Sequence, residues 1–114
     1  MWNEPKEWEL RALPRLRATE STPLEDKLIH MHFFLGGCDW YAAEYDPADR
    51  LFFGYAILND DLQNAEWGYV PYDELRAVKT REGIEVDREL PWHPLPARDI
   101  HRIRSGMGWE EEGP

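Results

Sequence analysis

Apolar positions along this chain come in short runs broken by glycine, proline and acidic residues. The two clearest runs, Trp40–Tyr45 and Arg50–Leu58, are joined by Asp46-Pro47-Ala48-Asp49. Both are rich in aromatic residues, which fit a pleated, half-buried surface. Pro47 presets φ for the second position of a turn, and Asp46 can accept backbone N–H bonds at its start. Together they predict a β-hairpin. Gly54, inside the second run, marks a bulge or the close approach of a neighbouring group. Upstream, Lys27–Leu35 alternates as a strand, with Leu28, His30, His32 and Phe34 on one face and Ile29, Met31, Phe33 and Leu35 on the other. The second set is wholly apolar and is the expected core face. Gly36-Gly37-Cys38-Asp39 reads as a turn, because glycine accepts the positive φ that turns require.

Shorter elements flank this block. Trp8, Leu10 and Leu13 in residues 6–13 share one face of a short helix that Pro14 ends. Residues 15–26 read as an irregular approach to the sheet. Asn59–Ala65 is a polar loop and Glu66–Val70 a fourth strand. Pro71 opens a helix with Asp73 and Glu74 in its first turn, Arg76 and Lys79 in its last, and Leu75 and Val78 inward. Ile84-Glu85-Val86 alternates as a short strand. Pro91, Pro94 and Pro96 hold an extended passage containing Trp92 and His93. Arg98–Arg104 forms a helical turn or two packed through Ile100 and Ile103, and a tail from Ser105, including Glu110-Glu111-Glu112, is expected to fray. The expected fold is α+β: a curved antiparallel meander sheet of four to five strands, with short helices packed on one side. One domain spans residues 1–104, followed by a disordered acidic tail over 105–114.

Composition adds class. A chain of 114 residues is one domain's worth, and six Trp, five Tyr and four Phe supply enough apolar surface for a core. No apolar run approaches the ~20 residues that cross a bilayer. Met1-Trp2-Asn3-Glu4-Pro5 lacks the basic and apolar segments of a signal peptide. Cys38 is the single cysteine, so no internal disulfide forms and a cytoplasmic setting is expected.

Charge changes the picture most. The formal net charge is −10. Between residues 39 and 74 stand Asp39, Glu44, Asp46, Asp49, Asp60, Asp61, Glu66, Asp73 and Glu74, against Arg50 alone. Such a segment repels phosphate backbones, which argues against direct nucleic-acid binding. It is either a solvated face that keeps the chain soluble or a docking surface for a basic protein, such as a nucleic-acid-binding protein. On the second reading Asp39, Glu44, Asp46, Asp49, Asp60, Asp61 and Glu66 are the partner-binding residues.

The chain also resembles a known family. Thr22-Pro23-Leu24-Glu25-Asp26-Lys27, Trp40-Tyr41, Glu44-Tyr45-Asp46-Pro47, Leu51-Phe52-Phe53-Gly54-Tyr55, Trp67-Gly68-Tyr69-Val70, Asp73-Glu74-Leu75 and Glu89-Leu90 carry the likeness. From about Thr19 to Ile103 the chain resembles an uncharacterised bacterial family, the domain of unknown function numbered 2958. The likeness implies a setting on plasmids and integrating elements. It brings no activity, cofactor or catalytic residues.

Four constellations bear on chemistry. His30 and His32, two apart on a strand, could share a metal site with Glu44 or Asp46, which would suit a small metal-dependent enzyme. Two ligands at one spacing are also what an exposed strand face tolerates, so no metal is expected. Cys38 lies beside Asp39, which raises a thiol's pKa and disfavours a nucleophilic thiolate. The pairs Asp60-Asp61 and Asp46/Asp49 could act as acid and base, but in loops such residues usually bond their own backbone. The surplus of rings, among them Trp40, Tyr45, Phe53, Tyr55, Trp67 and Tyr69, implies that both sheet faces carry aromatics. Covered faces are the default, since monomers rarely expose large apolar patches. The sequence therefore favours a non-enzymatic acidic interaction module serving a mobile element, without catalytic residues or cofactor. The alternatives are a DNA mimic that inhibits a nuclease or repressor, of the anti-restriction or anti-CRISPR type, and the metal-dependent enzyme.

Overall fold

A computed structural model describes residues 1–109. Four strands form an antiparallel meander: β2 (Met31–Leu35), β3 (Cys38–Asp46), β4 (Leu51–Ile57) and β5 (Glu66–Pro71). A two-residue β6 (Asp87–Arg88) pairs with the free side of β2 as the fifth strand. β1 (Leu28–Ile29) and β7 (Leu95–Pro96) make a separate two-stranded sheet. Three short helices, α1 (Glu7–Arg11), α2 (Tyr72–Ala77) and α3 (His101–Met107), complete the α+β fold. No helix among the described residues is long and apolar enough to cross a membrane.

The hairpin forms as the sequence predicts, with Tyr41 opposite Tyr55 and Asp46 opposite Leu51. Asp46 Oδ1 accepts the Ala48 N–H at 2.9 Å, which starts the turn, and Arg50 closes it with φ at 50°. Between Ala42 and Glu44 the register shifts by one residue, a β-bulge.

Both faces of the sheet are apolar, so both must be covered. Met31, Phe33, Trp40, Ala42, Tyr45 and Phe52 pack under α1 and α2 through Leu10, Leu13, Tyr72 and Leu75. Tyr41, Ala43, Tyr55 and Ile57 pack with Ala97, Ile100 and Ile103. The helices thus divide between the two faces rather than sharing one side. The cause is the two-sided apolar character of β3 and β4, where consecutive residues are buried.

Other expectations are corrected in detail. Lys27–Leu35 is not one strand: it breaks at His30, where β1 leaves to pair with the proline-held β7. Cys38 and Asp39 belong to β3, and the turn is only Gly36-Gly37. Val78 is exposed because α2 ends at Ala77. The strand beyond Gly83 is Asp87–Arg88, while Glu85 makes a single bridge to Lys79. Helix α3 runs through Ser105 to Met107 and stops at Gly108, whose φ of 71° ends it in the left-handed form. The expectation of a frayed tail fails there, and Glu110–Glu112 lie outside the described residues.

One ion pair ties α1 to the sheet edge. Arg88, buried, donates to Glu9 at 3.0 Å and to the Asn3 carbonyl at 2.8 Å. The Arg88 guanidinium, and secondarily the Lys6 backbone N–H, hold the Glu9 carboxyl below its ordinary 4.5. A folded-state value below the unfolded one gives stability that is present above pH 4.5 and lost as pH falls through the lowered value. Urea midpoints followed from about pH 6 to about pH 3 should therefore fall more in the wild type than in Glu9→Gln.

Candidate functional site

The carboxylates singled out by sequence divide into two kinds. Asp39 and Glu44 are buried, at 8% and 3% exposure, so they are not part of an outer docking face. Each lies on β3 and points to the face that α3 covers, where its charge has fixed partners.

Asp39 belongs to a chain of polar and charged side chains. Its Oδ1 lies 2.7 Å from His32 Nε2, and its Oδ2 lies 2.9 Å from Arg102 of α3. The other imidazole nitrogen, Nδ1, is 2.6 Å from Glu89, and a terminal nitrogen of Arg102 donates to Asp60 at 2.9 Å. A carboxylate only accepts hydrogen bonds. Each ring nitrogen of His32 thus faces a carboxylate oxygen. The ring is also stacked on Tyr41, 4.3 Å between centroids and 8° from parallel. The Glu89–His32–Asp39–Arg102–Asp60 series joins β2, β3, α3 and the loop after β4 in one network.

Glu44 is held from the irregular segment before β1. Its Oε1 accepts the Arg17 N–H at 2.8 Å, and its Oε2 accepts the Thr19 N–H at 3.0 Å and the Thr19 hydroxyl. Residues 15–26 gain their shape from this carboxylate, with Arg17 at a φ of 70°. It is a structural anchor.

The remaining named acids are outside. Asp49, Asp60, Asp61 and Glu66 are exposed and Asp46 is half-buried in its turn. Asp46 and Asp49 stand at one end of β4, whereas Asp60 and Asp61 follow its other end. Seven residues separate these ends, about 23 Å of extended chain. The structure therefore does not bring them together as one row. Asp61 caps its own loop by accepting from Asn64 N–H at 3.2 Å. Arg50, the lone base of the acidic segment, is committed to Asp73 through both Nε and a terminal nitrogen, at 3.1 and 3.0 Å.

The histidines do not converge. His32 is fully engaged, while His30, at the strand break, lines a different cleft of about 220 Å³ with Trp8, Arg88, Leu90 and Trp92. Burial there pushes the His30 imidazole below its ordinary 6.5. Among the described residues no group of three or more His, Cys, Asp or Glu side chains could hold a metal ion. Cys38 accepts the Asn59 N–H at 3.4 Å at the head of β3.

Lys27, expected at the head of a strand with no role, is buried and lines a cavity with Glu44. The available signal for the buried acids was their setting: Glu44 lies between Ala43 and Tyr45, in a run where every other residue is apolar.

A family described as Protein of unknown function (DUF2958) matches residues 6–97. The match starts before Thr19, so it takes in α1, and ends at Ala97, short of α3. No curated protein matches the chain, and no solved structure does.

Proposed function

The chain belongs to the family of proteins of unknown function DUF2958, and on that premise we propose that it is a non-enzymatic interaction module whose exposed carboxylates meet a basic protein surface. One observation carries the reading: apart from Lys27, the buried polar and charged side chains are held in structural pairing, while the excess charge lies outside. Asp39, His32, Glu44 and Arg88 each have fixed partners in the interior. Outside, Arg11, Arg17, Arg50, Arg76, Arg98 and Arg102 are matched to carboxylates in ion pairs. With 23 acids to 13 bases in the chain, that matching leaves an outer field of carboxylates, Asp49, Glu66 and Glu74 among the exposed ones.

Such a field acts at long range and raises the encounter rate with a cation-rich partner. A nucleic-acid-binding protein of a mobile element, in a bacterial cytoplasm, fits that chemistry and the setting that the family likeness implies. The interaction reading is preferred to a DNA mimic because the named acids sit at both ends of β4 rather than in a phosphate-like row.

Capture from host extract tests it. Immobilised protein, loaded at low ionic strength and eluted by a salt gradient, is expected to release a basic protein as screening shortens to ~8–10 Å. Retention of an acidic partner, or elution indifferent to salt, would contradict the proposal.

A further inference from the structure

On the sheet face covered by α3, the cover stops short of Phe53 and Tyr69, and a cavity of about 250 Å³ opens there. Its walls are Leu24, Phe53 and Tyr69, and its charged lining is Arg17, Glu20, Lys27 and Glu44. At roughly 30 Å³ per water it has room for about eight waters, or for one ring with a short substituent. Phe53 and Tyr69 meet edge to face at 5.5 Å, which makes this side of the wall aromatic.

The charges in this lining are not equivalent. Glu44 already accepts from three donors, Arg17 N–H, Thr19 N–H and the Thr19 hydroxyl. Glu20 pairs with Arg17 at 3.3 Å on the rim. Lys27 is different. Its side chain sits in a residue only 5% exposed, and its ammonium donates to the Thr19 carbonyl and, at 2.9 Å, to the Thr19 hydroxyl. An ammonium has three N–H donors. The third meets no acceptor among the described residues, and no ion pair joins Lys27 to a carboxylate there. The ammonium lies over the Phe53 ring, 5.9 Å from its centre, so the cation and the aromatic wall share one space. A buried cation without a direct counter-ion is costly, and an incoming carboxylate gains a charge-assisted hydrogen bond to it.

We propose that this cavity is a binding site for a small aromatic carboxylate, its carboxylate on Lys27 and its ring against Phe53 and Tyr69. The site is separate from the outer acids, so it stands or falls independently of the interaction reading. The same chemistry is offered by a free aryl acid and by the carboxyl terminus of a peptide ending in an aromatic residue.

Titration of the full chain by calorimetry and amide NMR tests it, with phenylacetate as probe. Phenylacetate should bind with Kd on the order of 1 mM, as its few heavy atoms allow, and shift the amides of Thr19, Lys27 and Phe53. The neutral isostere 2-phenylethanol should bind about tenfold more weakly, since it lacks the charge-assisted bond. Lys27→Met, which keeps the volume, should erase that preference. Tyr69→Ala, at an exposed wall, should weaken both probes about equally and keep the preference. Because Tyr69 is 59% exposed, this variant keeps the test decisive should Lys27→Met fail to fold. N-acetylphenylalanine binding tighter than phenylacetate would assign the site to a peptide terminus; the reverse order assigns it to a free acid. The proposal is overturned if phenylacetate does not bind, if 2-phenylethanol or phenethylamine binds as tightly, or if folded Lys27→Met retains the preference.

Discussion

Gly54→Ala should cost about 3 kcal/mol or more, a large share of the ~5–15 kcal/mol by which domains of this size are stable. A methyl group built on Gly54 would lie 2.0 Å from the Tyr41 carbonyl oxygen and 3.0 Å from Ala42 Cα. Both are backbone atoms of β3, so no rotamer change relieves the contact. The register shift of β3 begins at this point, after Ala42, and the two strands would have to part. Gly68, opposite Gly54 on β5, is the internal control: nothing lies within 4 Å of the place a methyl group would take there. Gly68→Ala should stay within about 1 kcal/mol of the wild type and could stabilise it by restricting the unfolded chain. Urea unfolding followed by circular dichroism measures both. Equal midpoints for the two variants would show that the close approach at Gly54 is not a constraint.

The second large effect belongs to His32. Its replacement by Ala removes the partner that two carboxylates share and also the ring stacked on Tyr41. Breaking a buried pair by deleting one member costs about 3–5 kcal/mol, since the remaining charge stays buried. Asp39 keeps Arg102 at 2.9 Å, so the loss should fall at the lower end of that range. The double variant His32→Ala/Asp39→Ala should be less unstable than the sum of the singles, with a coupling of about 1–3 kcal/mol. A single-variant loss below about 1 kcal/mol would mean that the network is effectively solvated.

The hairpin is legible in the sequence because its signals agree. Aromatic-rich runs, a proline-containing turn and an interior glycine all point to β3 pairing with β4, and Gly54 is marked for close approach by its place inside a strand. What stays hidden depends on partners distant in sequence. Lys27–Leu35 alternates without interruption, yet its first residues leave for β7, some 66 positions onward. A local pattern carries no record of that choice. The placing of helices on both faces follows from consecutive buried residues in β3, which an alternating template does not describe.

The site is legible in charge and illegible in depth. Charged residues are rarely buried unless paired, so Asp39 and Glu44 read as surface residues like their acidic neighbours. Their burial depends on His32 and Arg102 in one case and on the backbone of Arg17 and Thr19 in the other. Nothing local to either acid names those partners. Asp46, Asp49, Asp60, Asp61 and Glu66 do stay out of the core, but the length of β4 separates them into groups.

The proposed recognition through the outer carboxylates, and not through the buried charges, predicts a kinetic signature in the association rate of a basic partner obtained by capture. Stopped flow at low and at physiological ionic strength measures it. The comparison is between the wild type and Asp49→Lys/Glu66→Lys, two exposed positions whose reversal should change stability by no more than about 0.5 kcal/mol each. Salt should slow association of the wild type, the reversal should slow it at low salt by about tenfold, and dissociation should change less. An association rate unaffected by both salt and reversal would contradict recognition by these carboxylates.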